Sequence, residues 1–184
     1  MGSPTETSRP QVIVAQLGAR RHYAVPALLH RAGMLAHFYT DAYTGPGSAW
    51  HILSKVGPLI PRTWQPAAFQ RLLQRREDSL PAAKVTAFNL LGYRYARDLQ
   101  KNPDAEKRFG IYKKYGETFC RKVLRHKSFQ GQAVWAFKGA AGLLFQAAKP
   151  RVLKCIYEQF SAPEKIMHQL FQDEHARWHA WESR

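Results

Sequence analysis

This sequence has few cysteines and no long run of apolar residues, and each shortage excludes a class of protein. Its 184 residues include only Cys120 and Cys155, with no histidine at zinc-ligand spacing, so neither a disulfide framework nor a structural metal is expected. Nowhere do about 18 uncharged apolar residues run together, and the polar start, Met1 to Ser8, lacks the apolar stretch of a signal peptide. We therefore predict a cytoplasmic protein that does not span a membrane.

The common motifs of nucleotide-binding and hydrolytic enzymes are also missing. The chain contains no GxGxxG after its first apolar run, no GxxxxGK[ST], no GxSxG and no HExxH. These absences exclude an ordinary dinucleotide dehydrogenase, a P-loop NTPase, an α/β-hydrolase and a zincin. No cofactor and no metal is predicted.

Acidic residues are scarce too, so positive charge dominates. Lysine and arginine number 28 against 13 acids, a net charge of +15, which favours an anionic partner such as a nucleic acid, a sugar nucleotide or a membrane surface. Two stretches, Ala105–His126 and Arg62–Arg76, place aromatic or leucine side chains among cations. This interfacial pattern favours an anionic membrane over nucleic acid, with a solvated helix face as the alternative.

Short apolar runs alternate with amphipathic stretches along the chain. The predicted strands are Val12–Leu17, Ala36–Thr40, Lys84–Phe88, Ala133–Phe137 and Val152–Tyr157. The predicted helices are Ala24–Ala32, Leu90–Leu99, Ala105–His126, Gly139–Lys149 and Pro163–Trp178. Alternation of this kind predicts an α/β fold, a single Rossmann-like domain with a mostly parallel sheet and helices on both faces.

The domain is predicted to span residues 11–184, after a flexible polar tail at 1–10. Residues 43–76, which are rich in glycine and proline, are predicted to be an insertion of loops and short helices. The core is predicted to contain Val12, Val14, Leu28, Val85, Val134, Trp135, Leu144 and Ile156.

Ligands of open parallel sheets bind beyond the carboxyl ends of the strands, so the residues that follow each predicted strand are site candidates. The candidate catalytic residue is His22. The candidate substrate-binding residues are Gly18, Arg20, Arg21, Tyr23, Asp41, Lys138, Gly139, Glu158 and Ser161. The cations after the first strand precede a helix N-terminus, where free N–H groups also favour anions. The alternatives are solvated arginines, a structural His22, and a Glu158 that pairs with a nearby arginine.

The stretch "VIVAQLGARRHYAVPALLHRAGMLAHFYTD" resembles the opening of the N-terminal domain of bacterial glycosyltransferases of the GT-B fold, family 4 type. The later stretches "VTAFNLLGYRYARDL", "VWAFKGAAGLLFQAAK" and "CIYEQFSAPEKIMHQLFQDE" fit the same domain, so the resemblance extends from Val12 to Glu174. It implies transfer of a hexose or related sugar from a nucleotide sugar to a sugar or lipid-linked acceptor. It also implies that Gly18 to Tyr23, and Glu158, face a cleft between two domains, with the acceptor held mainly by this one.

Two departures from the family pattern shape the prediction. Gly18 is followed by Ala19, where the family often has paired glycines, and a second, donor-binding Rossmann-like domain is missing from the sequence. Glu174 and Glu182 have the spacing of the family's donor-side glutamate pair, but they lie in a polar helical tail with no strand or glycine turn before them. We therefore predict the acceptor-side half of a glycosyltransferase, inactive without a donor-binding domain or subunit. The alternative is a non-catalytic basic module that binds anionic lipid at the inner membrane face or, less in keeping with the pattern, nucleic acid.

Overall fold

A five-stranded parallel sheet forms the centre of the protein. The structure, a computed structural model, describes residues 9–45, 75–159, 162 and 164–178. The strands are β1 (Val12–Gln16), β2 (Leu35–Thr40), β3 (Val85–Ala87), β4 (Ala133–Phe137) and β5 (Lys154–Glu158). All neighbouring pairs are parallel, in the order β3-β2-β1-β4-β5. The predicted α/β class is confirmed.

In the described residues, five α-helices and three short 3-10 turns accompany the sheet. The helices are α1 (Ala24–Arg31), α2 (Asn89–Lys101), α3 (Ala105–Leu124), α4 (Ala141–Ala148) and α5 (Glu164–Arg177). The 3-10 turns are Arg20–Tyr23, Ala82–Lys84 and Lys149–Arg151. Helix α3 begins after Asp104, whose carboxylate accepts a hydrogen bond from the backbone N–H of Lys107 at 2.8 Å and so caps the first turn. No helix in the described ranges is both long and apolar enough to cross a membrane.

Each face of the sheet carries its own apolar core. Alternate residues of β1 point to opposite faces: Ile13 packs with Phe119 and Val123 of α3, while Val14 packs with Tyr23 and Phe38 on the face covered by α1. We call these the α3 side and the α1 side. Burial on both faces explains why β1 reads as a continuous apolar run rather than an alternating one.

The predicted core is partly wrong at the periphery. Val12, Val14, Val134 and Leu144 are buried, and Val85 and Trp135 are half-buried. Leu28 is 56% exposed because α1 buries Val25, Pro26 and Ala27 instead. Ile156 is 37% exposed because it lies on the edge strand β5, which among the described residues pairs only with β4.

The bounds of the fifth strand also differ from the prediction. The fifth strand begins at Lys154 rather than Val152, because Val152 has a left-handed backbone (φ 57°) after the Lys149–Arg151 turn. The predicted tail at 1–10 and insertion at 43–76 fall largely outside the described residues. Near the ends of that insertion, the backbone N–H of Thr44 donates to the carbonyl of Arg75 at 2.8 Å.

The strand order reverses direction between β1 and β4, which places a crevice at their carboxyl ends. Helix α3 borders this crevice. Its 20 residues extend about 30 Å, whereas a five-residue strand spans only about 17 Å. His126, just beyond α3, contacts His37 and Tyr39 of β2, while Gly116 in the helix middle abuts the turn after β4. The first half of α3 therefore rises beyond the carboxyl edge of the sheet as a wall.

Candidate functional site

The turn after β1 is held by a buried carboxylate from the next strand. The backbone N–H of Gly18 donates to Asp41 Oδ1 at 2.7 Å, and the other oxygen of Asp41 accepts from Arg75 at 2.7 Å. The Asp41 side chain is completely buried. Asp41, a predicted substrate-binding residue, thus positions the Gly18 turn and neutralises Arg75.

A run of left-handed residues follows that turn. Arg21, His22 and Tyr23 have φ values of 48°, 48° and 63°, a region that costs a non-glycine residue about 1–2 kcal/mol. Strain of this kind is found preferentially at functional sites.

Tyr23 anchors the strained run. Its side chain is 1% exposed, its hydroxyl donates to the carbonyl of Ala42 at 2.7 Å, and its ring meets Phe38 and Tyr43 edge-on. Burial raises the pKa of Tyr23 far above its usual value, so the phenol is neutral. The buried ring anchors the backbone of the turn, from which the Arg21 and His22 side chains extend into solvent.

On the α1 side, an ion pair bridges the switch point. Arg21 Nε lies 2.9 Å from Glu158 Oε1, and the indole N–H of Trp135 donates to the other Glu158 oxygen at 3.0 Å. These contacts connect the turn after β1 to the end of β5 across β4. Glu158 is therefore the partner of a nearby arginine, one of the two roles expected from the sequence.

On the α3 side, the same edge opens into a cavity of about 380 Å³. The turns after β1 and β4 contribute Leu17, Lys138 and Gly139 to its lining. The principal α3 residues that line it are Phe109, Tyr112, Lys113, Gly116 and Cys120. Lys113 and Lys138 form no ion pair within the described part of the chain.

Close packing of α3 against the turn after β4 fixes the wall of this cavity. A Cβ atom on Gly116 would collide with the carbonyl oxygen of Gly139, so only glycine permits this approach. One turn further along, Cys120 Sγ donates to the carbonyl of Ala140 at 3.3 Å. Burial raises the pKa of Cys120 to about 11, which keeps the thiol protonated as a donor.

The predicted site residues therefore fall into separate groups at one edge. Gly18 joins Asp41, Arg21 joins Glu158, and Lys138 and Gly139 line the cavity. The His22 side chain is exposed and forms no hydrogen bond with a described residue. The side chain of Arg20, and Ser161 altogether, lie outside what the structure describes.

Sequence reasoning missed the contribution of α2 and α3. Tyr95, Phe109, Tyr112 and Gly116 line the cavity although they follow no strand. Gly116 is the sequence feature that could have indicated the role of α3, because a glycine inside an amphipathic helix often marks a close approach of another backbone.

Comparison with known proteins adds no assignment. No protein-family model, no curated protein and no solved structure matches this chain. Across residues 9–45, 75–159 and 164–178, no three histidine, cysteine or carboxylate side chains converge as a metal site would require.

Proposed function

We propose that this chain is the acceptor-side half of a glycosyltransferase and that the cavity between α3 and the turn after β4 binds the acceptor. One observation carries the proposal: the cavity lies where the strand order reverses, at the carboxyl ends of β1 and β4. In open α/β sheets this crevice is the usual ligand site. The sequence resemblance supplies the reaction class.

The lining suits a sugar-bearing ligand. Tyr95, Phe109 and Tyr112 present aromatic rings, on which the C–H faces of sugars stack, beside the cations Lys113 and Lys138. Phe109 is 55% exposed and Tyr112 43% exposed. Aromatic walls with a few polar groups are typical of small-molecule sites.

In the proposed reaction, an acceptor hydroxyl attacks the anomeric carbon of a nucleotide sugar. A new C–O bond forms, the bond from that carbon to the diphosphate oxygen breaks, and the hydroxyl proton passes to a base. His22 is the proposed base, because its exposed imidazole stands in the strained turn at the same carboxyl edge. Positive charge stabilises the departing nucleotide diphosphate, most of it supplied by a separate donor-binding domain or subunit.

The cations that line the cavity, Lys113 and Lys138, are too few to hold a nucleotide sugar alone. Exposed charge pairs contribute about 0.2–1 kcal/mol each, whereas micromolar affinity requires about 8 kcal/mol. Calorimetric titration with a panel of nucleotide sugars is therefore expected to show no micromolar binding and no sugar transfer. Micromolar binding that is lost in Lys138→Ala would contradict the proposal by showing that this domain is itself a donor site.

Acceptor binding is tested with two matched glycine variants. A Cβ atom on Gly142 or on Gly110 meets no atom within 4 Å, but only Gly142 lines the cavity. Gly142→Leu should abolish binding of acceptor saccharides or glycolipids, detected by tyrosine fluorescence or calorimetry, and Gly110→Leu should not. If the two variants bind the acceptor equally well, the cavity is not the acceptor site.

A second candidate function is a non-catalytic module that docks on anionic lipid. It is favoured by the exposed cations along α3, which are Lys107, Lys113, Lys114, Arg121 and Lys122. Sedimentation with anionic vesicles at low and high salt tests it, because an electrostatic contact weakens as salt is added. Absence of vesicle binding at low salt would eliminate this candidate. Preferential binding to nucleic acid with a steep salt dependence would instead identify nucleic acid as the anionic partner.

A further inference from the structure

We infer that the ligand of the α3-side cavity is an amphipathic anion, with an apolar group inside the cavity and a phosphate or carboxylate at its rim. This inference rests on the proposed function, since it names the chemical class of the acceptor. It follows from the different chemistry of the cavity floor and the cavity rim.

The floor of the cavity is apolar. Leu17 is 6% exposed and Cys120 2% exposed, and the Cys120 thiol already donates to the carbonyl of Ala140. Leu143 of α4 completes this part of the lining. A sugar ring can stack on the exposed rings of Phe109 and Tyr112, but against this apolar floor its hydroxyl groups would be left without partners, which is costly. An alkyl chain or hydrocarbon ring meets no such penalty.

The rim carries a surplus of positive charge. Lys138 follows β4 and Lys113 belongs to α3; both are exposed, and neither forms an ion pair with a described residue. The carboxylate in the lining, Glu117, is 3.5 Å from Arg121 of the next helical turn. An anion at the rim therefore meets two lysines whose charges are not otherwise matched.

The size of the cavity fits a short apolar group. Its volume of about 380 Å³ is near the lower end of ligand sites. The exposed rings of Phe109 and Tyr112 continue the apolar lining outward. A longer chain would leave the cavity along these two rings.

The test compares probes that share one chain and differ in headgroup. Octyl phosphate, octyl β-glucoside, octyltrimethylammonium and inorganic phosphate are titrated calorimetrically below their micellar concentrations. Octyl phosphate is expected to bind about tenfold tighter than octyl glucoside, with no heat from inorganic phosphate. Lys113→Gln combined with Lys138→Gln should reduce the affinity for octyl phosphate to that for octyl glucoside.

The matched glycine variants test whether octyl phosphate binds in the cavity, and they control for effects on folding. Gly142→Leu should weaken octyl phosphate binding at least about tenfold, while Gly110→Leu should leave it unchanged, with thermal melts confirming that both variants fold. Sedimentation with anionic vesicles then distinguishes the sources of the anion. Binding that depends on Gly142 indicates a lipid headgroup, and octyl phosphate binding without vesicle binding indicates a soluble phosphate monoester.

Other outcomes separate this inference from the proposed function. Equal affinity for octyl phosphate and octyltrimethylammonium overturns the anionic headgroup. A preference for octyl glucoside that Gly142→Leu abolishes also overturns the inference, while the cavity remains an acceptor site. Octyl phosphate binding that Gly142→Leu does not affect overturns the inference and leaves the acceptor test above to decide the proposed function.

Discussion

On the α1 side of the carboxyl edge the charged side chains are paired with one another, whereas on the α3 side they face an open cavity. Arg21 meets Glu158, and Arg75 meets the buried Asp41. Lys138, one strand away from Glu158, has no such partner among the described residues. A position after a strand end therefore does not by itself decide whether a charged side chain is structural or ligand-binding; the presence or absence of a partner decides it.

The largest expected effect comes from breaking the buried pair on the α1 side. Asp41→Ala removes both the acceptor of the Gly18 N–H and the counterion of Arg75, whose side chain is only 20% exposed. We expect a loss of about 3–5 kcal/mol in the free energy of unfolding, measured by urea denaturation. Thr40→Val is the control, because it leaves Asp41 in place and removes the 3.3 Å hydrogen bond from the Thr40 hydroxyl to Asp41 together with the contact of that hydroxyl with Tyr23. A loss below about 1 kcal/mol for Asp41→Ala would mean that the α1 side is not held by this pair.

Acid should destabilise a closed polar cluster at the other end of the α3 side. His37 Nε2 lies 2.8 Å from the Thr86 hydroxyl, and its ring stacks on that of His126. Burial, followed by the charges of His126 and Lys84, lowers the pKa of His37 from 6.5 to about 4. Tyr39 also packs against this ring and, because burial raises its pKa far above its usual value, stays uncharged.

The sign of the pH effect follows from linkage. Above pH 6.5 the ring is neutral in the folded and unfolded states, so His37 contributes no pH dependence. Between pH 6.5 and about 4 only the unfolded state takes up the proton, so the free energy of unfolding decreases as the pH is lowered. The full loss is about 3 kcal/mol, measured by denaturation at pH 7, 5.5 and 4. His37→Gln should lose this part of the pH dependence; an unchanged pH profile would assign it to other groups.

The wall of the open cavity depends on a glycine. Gly116→Ala gains about 1 kcal/mol of helix propensity but forces the turn after β4 away, so we expect a net loss of about 1–3 kcal/mol from overpacking. Gly110 is the matched control, because the same helix leaves open space at its Cβ position. Gly110→Ala should stabilise the protein by up to about 1 kcal/mol in thermal or urea denaturation. Equal effects of the two substitutions would show that α3 does not press on the turn.

Relief of backbone strain should stabilise the turn on the α1 side. His22 has φ 48° and an exposed side chain, so His22→Gly exchanges a strained residue for one that accepts this conformation. The gain is expected to be about 0.5–1 kcal/mol after the extra entropy of the unfolded chain is subtracted. His30→Gly, in the last turn of α1, should instead cost about 0.5–1 kcal/mol. If His22→Gly destabilises the protein as much as His30→Gly, the turn is not strained.

The smallest effect separates the two sides directly. Lys138→Gln should change the free energy of unfolding by less than about 0.5 kcal/mol, because Lys138 has no folded-state partner among the described residues. Arg21→Gln should cost up to about 1 kcal/mol, the worth of a largely exposed ion pair. The two variants are compared by denaturation in the same buffer. A larger loss of stability for Lys138→Gln than for Arg21→Gln would show that Lys138, rather than Arg21, has the stabilising partner in the folded state.

Most of the secondary structure could be predicted because it depends on near neighbours in the chain. The apolar run at Val12 and the amphipathic stretch Ala105–His126 are local signals, and the corresponding elements were found with small shifts at their ends. The errors at Leu28 and Ile156 have a different origin. Burial of an apolar side chain depends on what covers it, and neither the outer side of α1 nor an edge strand is covered by neighbours in sequence.

By itself, the sequence determined that strands alternate with helices and that charged residues follow several strand ends. Those features depend on periodicity and turn chemistry within about ten residues. Only the tertiary structure decided which of those charges are paired. Arg21 and Glu158 are far apart in the chain, as are Gly18 and Asp41, and the strand order that brings each pair together is set by packing across the whole sheet. The cavity is likewise a tertiary feature, because its wall at Gly116 exists only where α3 crosses the turn after β4.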